Sequence, residues 1–363
     1  MNIGFRVDAS NRIGSGHWSR CFSIASQIKK KNNIFFISRN LPGNRLNQIK
    51  NSFSLVKLKK IKKYKFDQNC HESNNNLGLP EEIDFLETLN AIIKYKIEVL
   101  VIDHYSINET YKKLIKNFLK YLIVIDDFTH KKHYADLLIN NNFLSENDKK
   151  KIKTLNPKCK FLLGSNYPSV NLNFHNLKRK VKERKKIKKI LVFFGSIDPT
   201  GETFKALSVL KKIPNIKTIM VTSKSNPRFK MIQKIIKKEK NLRLLADIKN
   251  LNFGNLILKS DLAIGSCGVN IIERLYLGLP SLVITTAKNQ IIGAKNLKKR
   301  KLVRYLGKNI NVSRSDIRSS LEKLLYNEKK FKKFSRRCFL SMKNQIIFNL
   351  SKEINLNLKK IKN

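Results

Sequence analysis

Residues 2–20 read NIGFRVDASNRIGSGHWSR. The apolar run NIGFRV ends at Asp8, a turn with Gly14 and Gly16 follows, and a helical pattern over residues 17–31 begins at His17. Glycine lets the backbone turn tightly and approach a ligand closely. A helix start offers unpaired N–H groups and the positive end of a dipole. The stretch therefore predicts a strand, a ligand-binding turn and a helix at the front of an α/β domain.

Short runs rich in Ile, Val and Leu recur along the chain, as is typical of strands buried on both faces of a parallel sheet. In the first half they are NIFFISR, EVLVIDHY, YLIVIDDF and ADLLINNN, with helical patterns over 82–96 and 108–120. In the second half they are KKILVFFGS, TIMVTS, NLRLLAD, DLAIGS and PSLVITT, with helical patterns near 200–212, 227–240, 249–260 and 269–278. The predicted fold class is α/β, with two Rossmann-like domains and a cleft between them.

The domain boundaries follow from changes in this pattern. We expect an N-terminal domain over 1–168, a charged linker helix over 169–188, a C-terminal domain over 189–313 and a basic helical tail over 314–363. A length of 363 residues fits two domains, and 41% hydrophobic residues suffice for their cores. The chain has neither an apolar run of membrane-spanning length nor a signal-peptide pattern at its start, so we expect a soluble, cytoplasmic monomer.

The charge of the chain raises the question of a nucleic-acid partner. The formal net charge is +49, and strongly basic domains often bind nucleic acids. The lysines, however, are spread over nearly every segment, without a basic stripe that alternates with aromatic residues. We therefore favour a solvated surface, part of which can attract a small anionic substrate, and expect no nucleic-acid partner.

Five cysteines are scattered along the chain without a CxxC pair, namely Cys21, Cys70, Cys159, Cys267 and Cys338. This spacing favours reduced, buried thiols over disulfides or a zinc site.

In the first half, His17 is the candidate general base. The helix dipole at its position favours the neutral imidazole, which can accept a proton; the alternative is a purely structural histidine. Asp103, His104 and Tyr105 end a predicted strand, and Tyr105 is either a substrate-facing hydroxyl or a ring at the edge of the core. The aspartates of this region are expected to cap loops or to order the floor of the cleft, and a metal site is the less favoured alternative. It would combine the strand-end residues with Asp126, Asp127, His130 and His133.

In the second half, two strand–turn–helix units are candidates for nucleotide binding. FFGSIDPTGET offers Gly195, Ser196, Asp198 and Thr200, although Asp198 and Pro199 can also simply start a helix. DLAIGSCGVNIIERLYLGLPSLVITTAKNQ has a turn with Gly265 and Gly268 before a helix that carries Glu273. Such a helix start can hold a diphosphate, and a carboxylate at Glu273 can accept from ribose hydroxyls.

Taken together, these motifs resemble a known family. The pattern R-x-D-x-S-x-x-I-G-x-G-H-x-x-R, followed by IDHY, DD, FFGSIDP, ERLYLGLP and NQ, is similar to the PseG family of UDP-sugar hydrolases in pseudaminic acid biosynthesis. The match extends from residue 1 to about 300. It implies a glycosyltransferase-B fold and hydrolysis of UDP-2,4-diacetamido-2,4,6-trideoxy-β-L-altropyranose by water attack at C1 with inversion. His17 would be the base, and neither cofactor nor metal is implied.

The resemblance also implies which residues contact the substrate. The sugar and phosphate region would be lined by Arg6, Asp8, Gly14, Gly16, Arg20, Tyr105, Asn289 and Gln290. The UDP moiety would contact Gly195, Ser196, Gly268, Val269, Asn270 and Glu273. Ser196 stands where many relatives have a second glycine, and Val269 and Asn270 replace small hydroxylated residues, which leaves a backbone cradle as the expected phosphate site.

Two rival functions remain at this point. A true glycosyltransferase could use the same fold but would need an acceptor site, for which the first half shows no clear apolar face. A nucleic-acid-binding protein would show steeply salt-dependent retention on DNA, whereas an enzyme of this kind would be stabilised thermally by UDP.

Overall fold

A computed structural model describes residues 1–59, 76–248, 250–343 and 348–362. The chain divides into two compact units, the first formed by Met1–Ser169 with Ile346–Asn363 and the second by Val170–Gln345. Each unit contains one sheet in which all neighbouring strands are parallel. Within the described residues, no helix is both long enough and apolar enough to cross a bilayer.

The first unit has a seven-stranded sheet in the order β3-β2-β1-β4-β5-β6-β7. Its strands are β1 (Asn2–Arg6), β2 (Asn33–Arg39), β3 (Ser54–Leu58), β4 (Val99–Ile102), β5 (Tyr121–Ile125), β6 (Leu137–Asn140) and β7 (Lys160–Leu163). Its helices in this part of the chain are α1 (Gly16–Ile28), α2 (Leu46–Lys50), α3 (Glu81–Lys94), α4 (Glu109–Lys116) and α5 (Glu146–Leu155), and one 3₁₀ turn spans Lys29–Lys31.

This sheet is covered on both faces. Successive strand residues point to opposite sides, so Val99 and Val101 join one buried cluster while Leu100 and Ile102 join another. Both clusters extend across the sheet into the helices. The continuous apolar runs in the sequence are explained by this double burial.

The second unit has a six-stranded sheet in the order β10-β9-β8-β11-β12-β13. Its strands are β8 (Lys189–Phe193), β9 (Lys217–Thr222), β10 (Leu242–Ala246), β11 (Leu262–Gly265), β12 (Ser281–Thr285) and β13 (Arg304–Lys308). Its helices are α6 (Asn173–Lys178), α7 (Glu202–Leu210), α8 (Phe229–Ile236), α9 (Asn250–Leu258), α10 (Asn270–Tyr276), α11 (Gln290–Lys299), α12 (Arg314–Leu325) and α13 (Glu328–Ser341), with a 3₁₀ turn at Asn309–Asn311.

Both sheets have the strand order of a Rossmann fold. The order reverses between β1 and β4 in the first unit and between β8 and β11 in the second. In open parallel sheets, ligands bind beyond the carboxyl ends of the strands at such a reversal. The turn before His17 follows β1, and the turn before Glu273 follows β11, so each unit has a candidate loop at its reversal point.

The charged segment expected to be a linker helix over 169–188 differs from that prediction. Only Asn173–Lys178 is helical, and Val170 onwards belongs to the second unit. Arg184 is buried and donates to main-chain carbonyls of Ile257, Ser260 and Gly278. Because these carbonyls follow or end helices α9 and α10, Arg184 holds the segment in an extended path that a continuing helix would not allow.

The basic tail expected over 314–363 is likewise divided between the units. Helices α12 and α13 belong to the second unit, whereas α14 (Asn349–Lys362) belongs to the first. Leu350, Ile354 and Leu358 of α14 are buried in the same cluster as Trp18 and Ile24 of α1. The apolar stripe of α14, hidden among many lysines, determines where this helix packs.

The sequence patterns did not predict three of the described strands, namely β3, β7 and β13. All three lie at sheet edges. Their sequences, SLVKL, KFLL and RYLGK, are short and carry charged residues. An edge strand is partly exposed, and charges there discourage pairing with other chains. Edge strands are therefore less completely buried than central strands, and their sequences show a weaker apolar pattern.

Candidate active site

The turn between β1 and α1 is closed by its own hydrogen bonds. Ser10 N donates to Gly14 O at 3.3 Å, and Gly14 N donates to Ser10 O at 2.8 Å. Gly14 has a φ of +78°, and a Cβ atom there would meet nothing within 4 Å. The left-handed backbone, and not a lack of space, requires glycine at this position. The predicted tight turn before His17 is confirmed.

His17 is the second residue of α1, which starts at Gly16 without a side-chain cap. Its Nδ1 atom lies 2.6 Å from Oδ1 of Asp103, and its side chain is 13% exposed while that of Asp103 is fully buried. An ionised carboxylate only accepts hydrogen bonds, so this contact places a ring proton on Nδ1, and the lone pair of the neutral tautomer with that proton is on Nε2. No hydrogen bond within the described residues engages Nε2.

Arg20 fixes the carboxylate that orients His17. Its Nε donates to Asp103 Oδ2 at 2.8 Å, its Nη2 to Asp103 Oδ1 at 2.7 Å, and its Nη1 to Asp127 Oδ1 at 2.7 Å. Burial by itself would raise the pKa of Asp103, but the Arg20 guanidinium and the His17 ring hold this pKa well below its usual value. Asp103 is therefore a stable anion behind the imidazole. All three guanidinium nitrogens of Arg20 thus donate to the carboxylates of Asp103 and Asp127. We therefore assign Arg20 a positioning role in place of the expected substrate contact.

Tyr105 packs beside the same histidine. The rings of His17 and Tyr105 meet edge to face with centroids 4.3 Å apart. The Tyr105 hydroxyl donates to Asp127 Oδ2, and burial followed by the Asp127 charge raises its pKa well above the usual value. The hydroxyl is thus directed at a carboxylate of the protein. We assign Tyr105 to the support of His17, which differs from the expected substrate-facing hydroxyl.

Arg6 and Asp8, expected to contact substrate, are buried in a network of charges. Arg6 Nη2 donates to Asp84 Oδ1 at 2.6 Å, and Arg6 Nη1 lies 2.8 Å from Asp8 Oδ1. Asp8 Oδ1 also accepts from Arg39 N at 2.7 Å, and His104 Nε2 lies 3.4 Å from Asp8 Oδ2. Burial lowers the pKa of His104, which keeps this ring neutral. The network joins β1 to β2 and α3 and positions the loop that leads to His17, so it does not offer these two side chains to a ligand.

The alternative metal site is not assembled by the histidines of DDFTHKKH. His130 is exposed and its ring packs against Phe128, whereas His133 is buried with Nε2 3.5 Å from Asp126 Oδ2. Burial lowers the pKa of His133 to about 3. Among the described residues, no group of three or more His, Cys, Asp or Glu side chains has the spacing of a metal site.

In the second unit, the turn after β8 combines a glycine with a helix cap. Gly195 has a φ of +101°, again a conformation that favours glycine. Ser196 O accepts from Ser223 N at 2.8 Å, which ties the turn to the end of β9. Asp198 is buried and accepts from Glu202 N at 3.1 Å and Thr203 N at 2.7 Å. Asp198 therefore acts as a cap for α7, as the alternative interpretation had it.

The turn after β11 leads to a helix start without a side-chain cap. Val269, the residue before α10, makes no capping bond, and the N–H groups of Gly268, Val269 and Asn270 donate no hydrogen bond within the described part of the chain. Such groups are ready donors for an anion. Asn270 Nδ2 donates to Glu273 Oε2 at 2.6 Å, and burial raises the pKa of Glu273 to about 7.

Gln290 supports this turn from the start of α11. Its Oε1 accepts from Cys267 N at 3.3 Å and from Thr286 N at 3.1 Å. The Cys267 N–H group is therefore already occupied, which limits the backbone cradle to the residues after it. Asn289 directly precedes α11 and is half-buried. Both residues lie in the second unit, and Gln290 holds the main chain of the candidate phosphate turn.

The cysteine prediction is confirmed for the four described cysteines. Cys21, Cys159, Cys267 and Cys338 are free and buried. Cys70 lies outside the described residues.

The sequence did not predict the contacts of Asp103 and Asp127 with His17, Arg20 and Tyr105, or the burial of Arg274. Asp103 directly follows β4, the neighbour of β1 at the reversal point. The predicted strand series contained this signal, because residues after adjacent parallel strands meet at one edge of the sheet. Arg274 follows Glu273 in the chain and gave no comparable signal, since only the folded helix shows that its side chain is buried.

Curated relatives agree with the resemblance indicated by the motifs. Over 292 residues the chain is 28% identical to the UDP-2,4-diacetamido-2,4,6-trideoxy-beta-L-altropyranose hydrolase of Campylobacter jejuni, covering 80% of this chain and 93% of the relative. It is 22% identical over 301 residues to the spore coat polysaccharide biosynthesis protein SpsG of Bacillus subtilis, covering 81% and 80% of the two chains. No protein-family model matches the chain. The similarity to the altropyranose hydrolase confirms the predicted resemblance.

Solved structures share the whole fold at low sequence identity. UGT71G1 of Medicago truncatula, solved with UDP-glucose, matches with a TM-score of 0.71 and 13% identity, covering 100% of this chain and 98% of that one. MnaA of S. aureus, solved with UDP, matches at 0.65 and 12%, covering 99% and 96%. MurG of Acinetobacter baumannii matches at 0.60 and 11%, covering 99% of both. The chain has the predicted glycosyltransferase-B fold.

Proposed function

We propose that this chain hydrolyses UDP-2,4-diacetamido-2,4,6-trideoxy-β-L-altropyranose to UDP and the free sugar, a step of pseudaminic acid biosynthesis. The observation that carries the proposal is the contact of His17 Nδ1 with the buried carboxylate of Asp103. The similarity to the Campylobacter jejuni hydrolase, over 80% of the chain, supports the choice of substrate. The absence of sequence evidence for an acceptor site favours water as the nucleophile.

His17 would act as the general base. Its Nε2 lone pair accepts a proton from water while the water oxygen forms a bond to C1 of the sugar. The bond between C1 and the β-phosphate oxygen breaks, and UDP leaves with the electron pair. A positioned base of this kind contributes roughly 10²- to 10⁴-fold in rate. Attack opposite to the leaving group inverts the configuration at C1.

Asp103 would hold the imidazole in the productive tautomer. A carboxylate on Nδ1 orients the ring and stabilises the imidazolium that forms when Nε2 takes the proton. Arg20 keeps Asp103 ionised and in place through two hydrogen bonds. The role of Arg20, Arg6 and Asp8 in this proposal is therefore indirect, through the position of the loop and the base.

The second unit would bind the nucleotide. The N–H groups of Gly268, Val269 and Asn270 would donate to the diphosphate and stabilise the charge that develops on it as UDP leaves. The Glu273 carboxylate would accept from ribose hydroxyls. Gly195 and Ser196, in the neighbouring turn at the reversal of strand order, would contact the UDP moiety, and Asn289 would line the phosphate region.

The proposal is tested by incubating the full chain with the UDP-trideoxy-diacetamido sugar in ¹⁸O-labelled water, with no other enzyme. We expect one labelled oxygen in the released sugar, none in UDP, and a first-formed anomer opposite to that of the substrate. Label in the β-phosphate would contradict cleavage between C1 and oxygen. Turnover only after addition of an acceptor sugar would overturn hydrolysis and support a transferase.

A further inference from the structure

Arg274 is a buried cation at the candidate phosphate turn. Only 2% of the surface of Arg274 is exposed. Its Nη2 donates to the carbonyl oxygen of Ser266, the first residue after β11, and its Nε is 3.5 Å from the Asn270 carbonyl. One guanidinium therefore reaches both ends of the turn that precedes α10.

The third nitrogen of Arg274, Nη1, is buried and makes no hydrogen bond within the described residues. It lies beside Gly265, where a Cβ atom would be 3.1 Å from Nη1 and 2.3 Å from the Phe193 carbonyl oxygen. Gly265 and Phe193 are paired residues of β11 and β8. The unpaired nitrogen is thus located where the strand order of the second sheet reverses.

The adjacent Glu273 carboxylate attracts this charge, but without an ion-pair contact. Arg274 forms no ion pair within the described residues, and the adjacent Glu273 carboxylate accepts from the Asn270 side chain. Burial lowers the pKa of Arg274 to about 10, which leaves the guanidinium charged near neutral pH. By contrast, Arg6 and Arg20 each contact two carboxylates. A buried cation without an ion-pair contact is costly to a fold, and such cations are common at sites for anions.

We propose that Arg274 is a positioning residue for a bound diphosphate, which holds the Ser266 carbonyl inward and places positive charge behind the N–H groups of residues 268–270. This inference rests on the proposed function and names the part of the second unit that recognises the phosphates. The charge favours two negatively charged phosphates over an uncharged nucleoside, and it favours the transition state because negative charge grows on departing UDP. Uridine lacks phosphate groups, so the charge of Arg274 does not strengthen the binding of uridine.

The test compares UDP with uridine on the full chain by calorimetry. In Arg274→Met, which keeps the length of the side chain but not its charge, we expect UDP to bind about 10- to 100-fold more weakly and uridine within about twofold of the parent. Arg274→Lys should recover part of the UDP affinity. The turnover number should be highest in the parent, lower in Arg274→Lys and lowest in Arg274→Met. A matched control is Arg304→Met, because Arg304 also has an unpartnered Nη1 but lies at the opposite end of β13 from the candidate turn; both affinities should stay unchanged.

The outcomes separate this inference from the proposed function. If the parent chain binds neither UDP nor uridine, the proposed function fails, and this inference fails with it. If the parent binds both and Arg274→Met weakens both equally or neither, the proposed function stands and the role of Arg274 is wrong. Thermal unfolding of each variant reports loss of folding. If Arg274→Met does not fold, Arg274→Gln, which also removes the charge, takes its place: an unchanged ratio of UDP to uridine affinity in that variant overturns the role.

Discussion

His17 Nδ1 and Asp103 Oδ1 are 2.6 Å apart although 86 positions separate them in the chain. The contact arises because β1 and β4 are neighbours in the sheet, α1 begins shortly after β1, and Asp103 directly follows β4. Arg20, one turn after His17 in α1, donates to both oxygens of the same carboxylate. The orientation of the imidazole is thus set by two strands and one helix, and not by a loop alone.

Replacement of His17 by asparagine should abolish hydrolysis and leave nucleotide binding intact. We expect the turnover number to fall by at least about 10²- to 10⁴-fold, because asparagine cannot accept the proton from water. The affinity for UDP should stay within about twofold, since the proposed nucleotide contacts are in the second unit. The measurement is turnover and UDP calorimetry on the same sample. His130→Asn, at an exposed histidine, is the control and should retain activity; full activity of His17→Asn would show that the base lies elsewhere.

Replacement of Asp103 by asparagine should lower both turnover and stability. The amide would favour the wrong tautomer of His17, and in a comparable arrangement this costs about 10⁴-fold in turnover. Arg20 would lose its main charge partner, and breaking a buried ion pair costs roughly 3–5 kcal/mol. Urea unfolding and steady-state kinetics together check the expectation. A variant with lower stability but parental turnover would reduce Asp103 to a structural role.

Glu273→Gln should stabilise the protein in a pH-dependent manner. Burial raises the Glu273 pKa to about 7 in the folded chain, above the value of about 4.3 in unfolded chains. The folded state therefore resists ionisation, and this penalty is absent near pH 4, grows as pH rises and is complete above pH 7. The free energy of unfolding of Glu273→Gln should exceed that of the parent by roughly 1–3 kcal/mol at pH 8 and match it near pH 4.5.

The same variant should bind UDP more weakly, because an amide accepts poorly from two ribose hydroxyls. Denaturation at the two pH values, followed by UDP titration at pH 8, distinguishes stability from binding. An increase in stability without loss of UDP affinity would argue against ribose recognition by Glu273.

Tyr105→Phe separates support of His17 from direct contact with the sugar. The ring that packs on His17 is retained, while the hydrogen bond to Asp127 is lost. We expect a loss of about 1–3 kcal/mol in stability, as for hydrogen bonds to charged groups, and a KM for substrate that changes little. Steady-state kinetics with thermal unfolding measure both. A large rise in KM at parental stability would instead assign the hydroxyl to the sugar.

Helix α14 offers a matched pair of substitutions. Ile354 is 1% exposed and lies in the core of the first unit, whereas Leu356 on the same helix is 41% exposed. Ile354→Ala should lower the free energy of unfolding by about 2–5 kcal/mol, and Leu356→Ala by less than about 0.5 kcal/mol. Equal effects in urea unfolding would mean that α14 does not pack on α1 in solution.

The parts of the fold that the sequence predicts are those in which burial is complete. Runs such as NIFFISR and YLIVIDDF become β2 and β5 because both of their faces are covered, which leaves an unmistakable apolar pattern. The prediction of a helix over 169–188 was wrong because the charges of this segment suggest a solvated helix. In the structure, Arg184 binds main-chain carbonyls that lie about 75 to 95 positions later, at or after the ends of two helices. A local pattern contains no information on such distant partners.

The candidate site was predictable to a similar extent. The turn at Gly14 and the helix start at His17 follow from glycine chemistry and local spacing. The direction in which Arg6 and Asp8 point does not, because it depends on Asp84 and Arg39, which other elements bring to β1. Motif residues close in sequence thus divide into one, His17, that is partly exposed, and two, Arg6 and Asp8, that hold the framework.

The path of α14 has a consequence for synthesis on the ribosome. The first unit lacks Leu350, Ile354 and Leu358 until the whole second unit has been translated. During elongation the apolar side chains of α1 that pack against α14 therefore stay uncovered, while the second unit can already close its own core. The part of the protein that is made first is completed last, and a nascent chain stalled before residue 349 would present those side chains to chaperones.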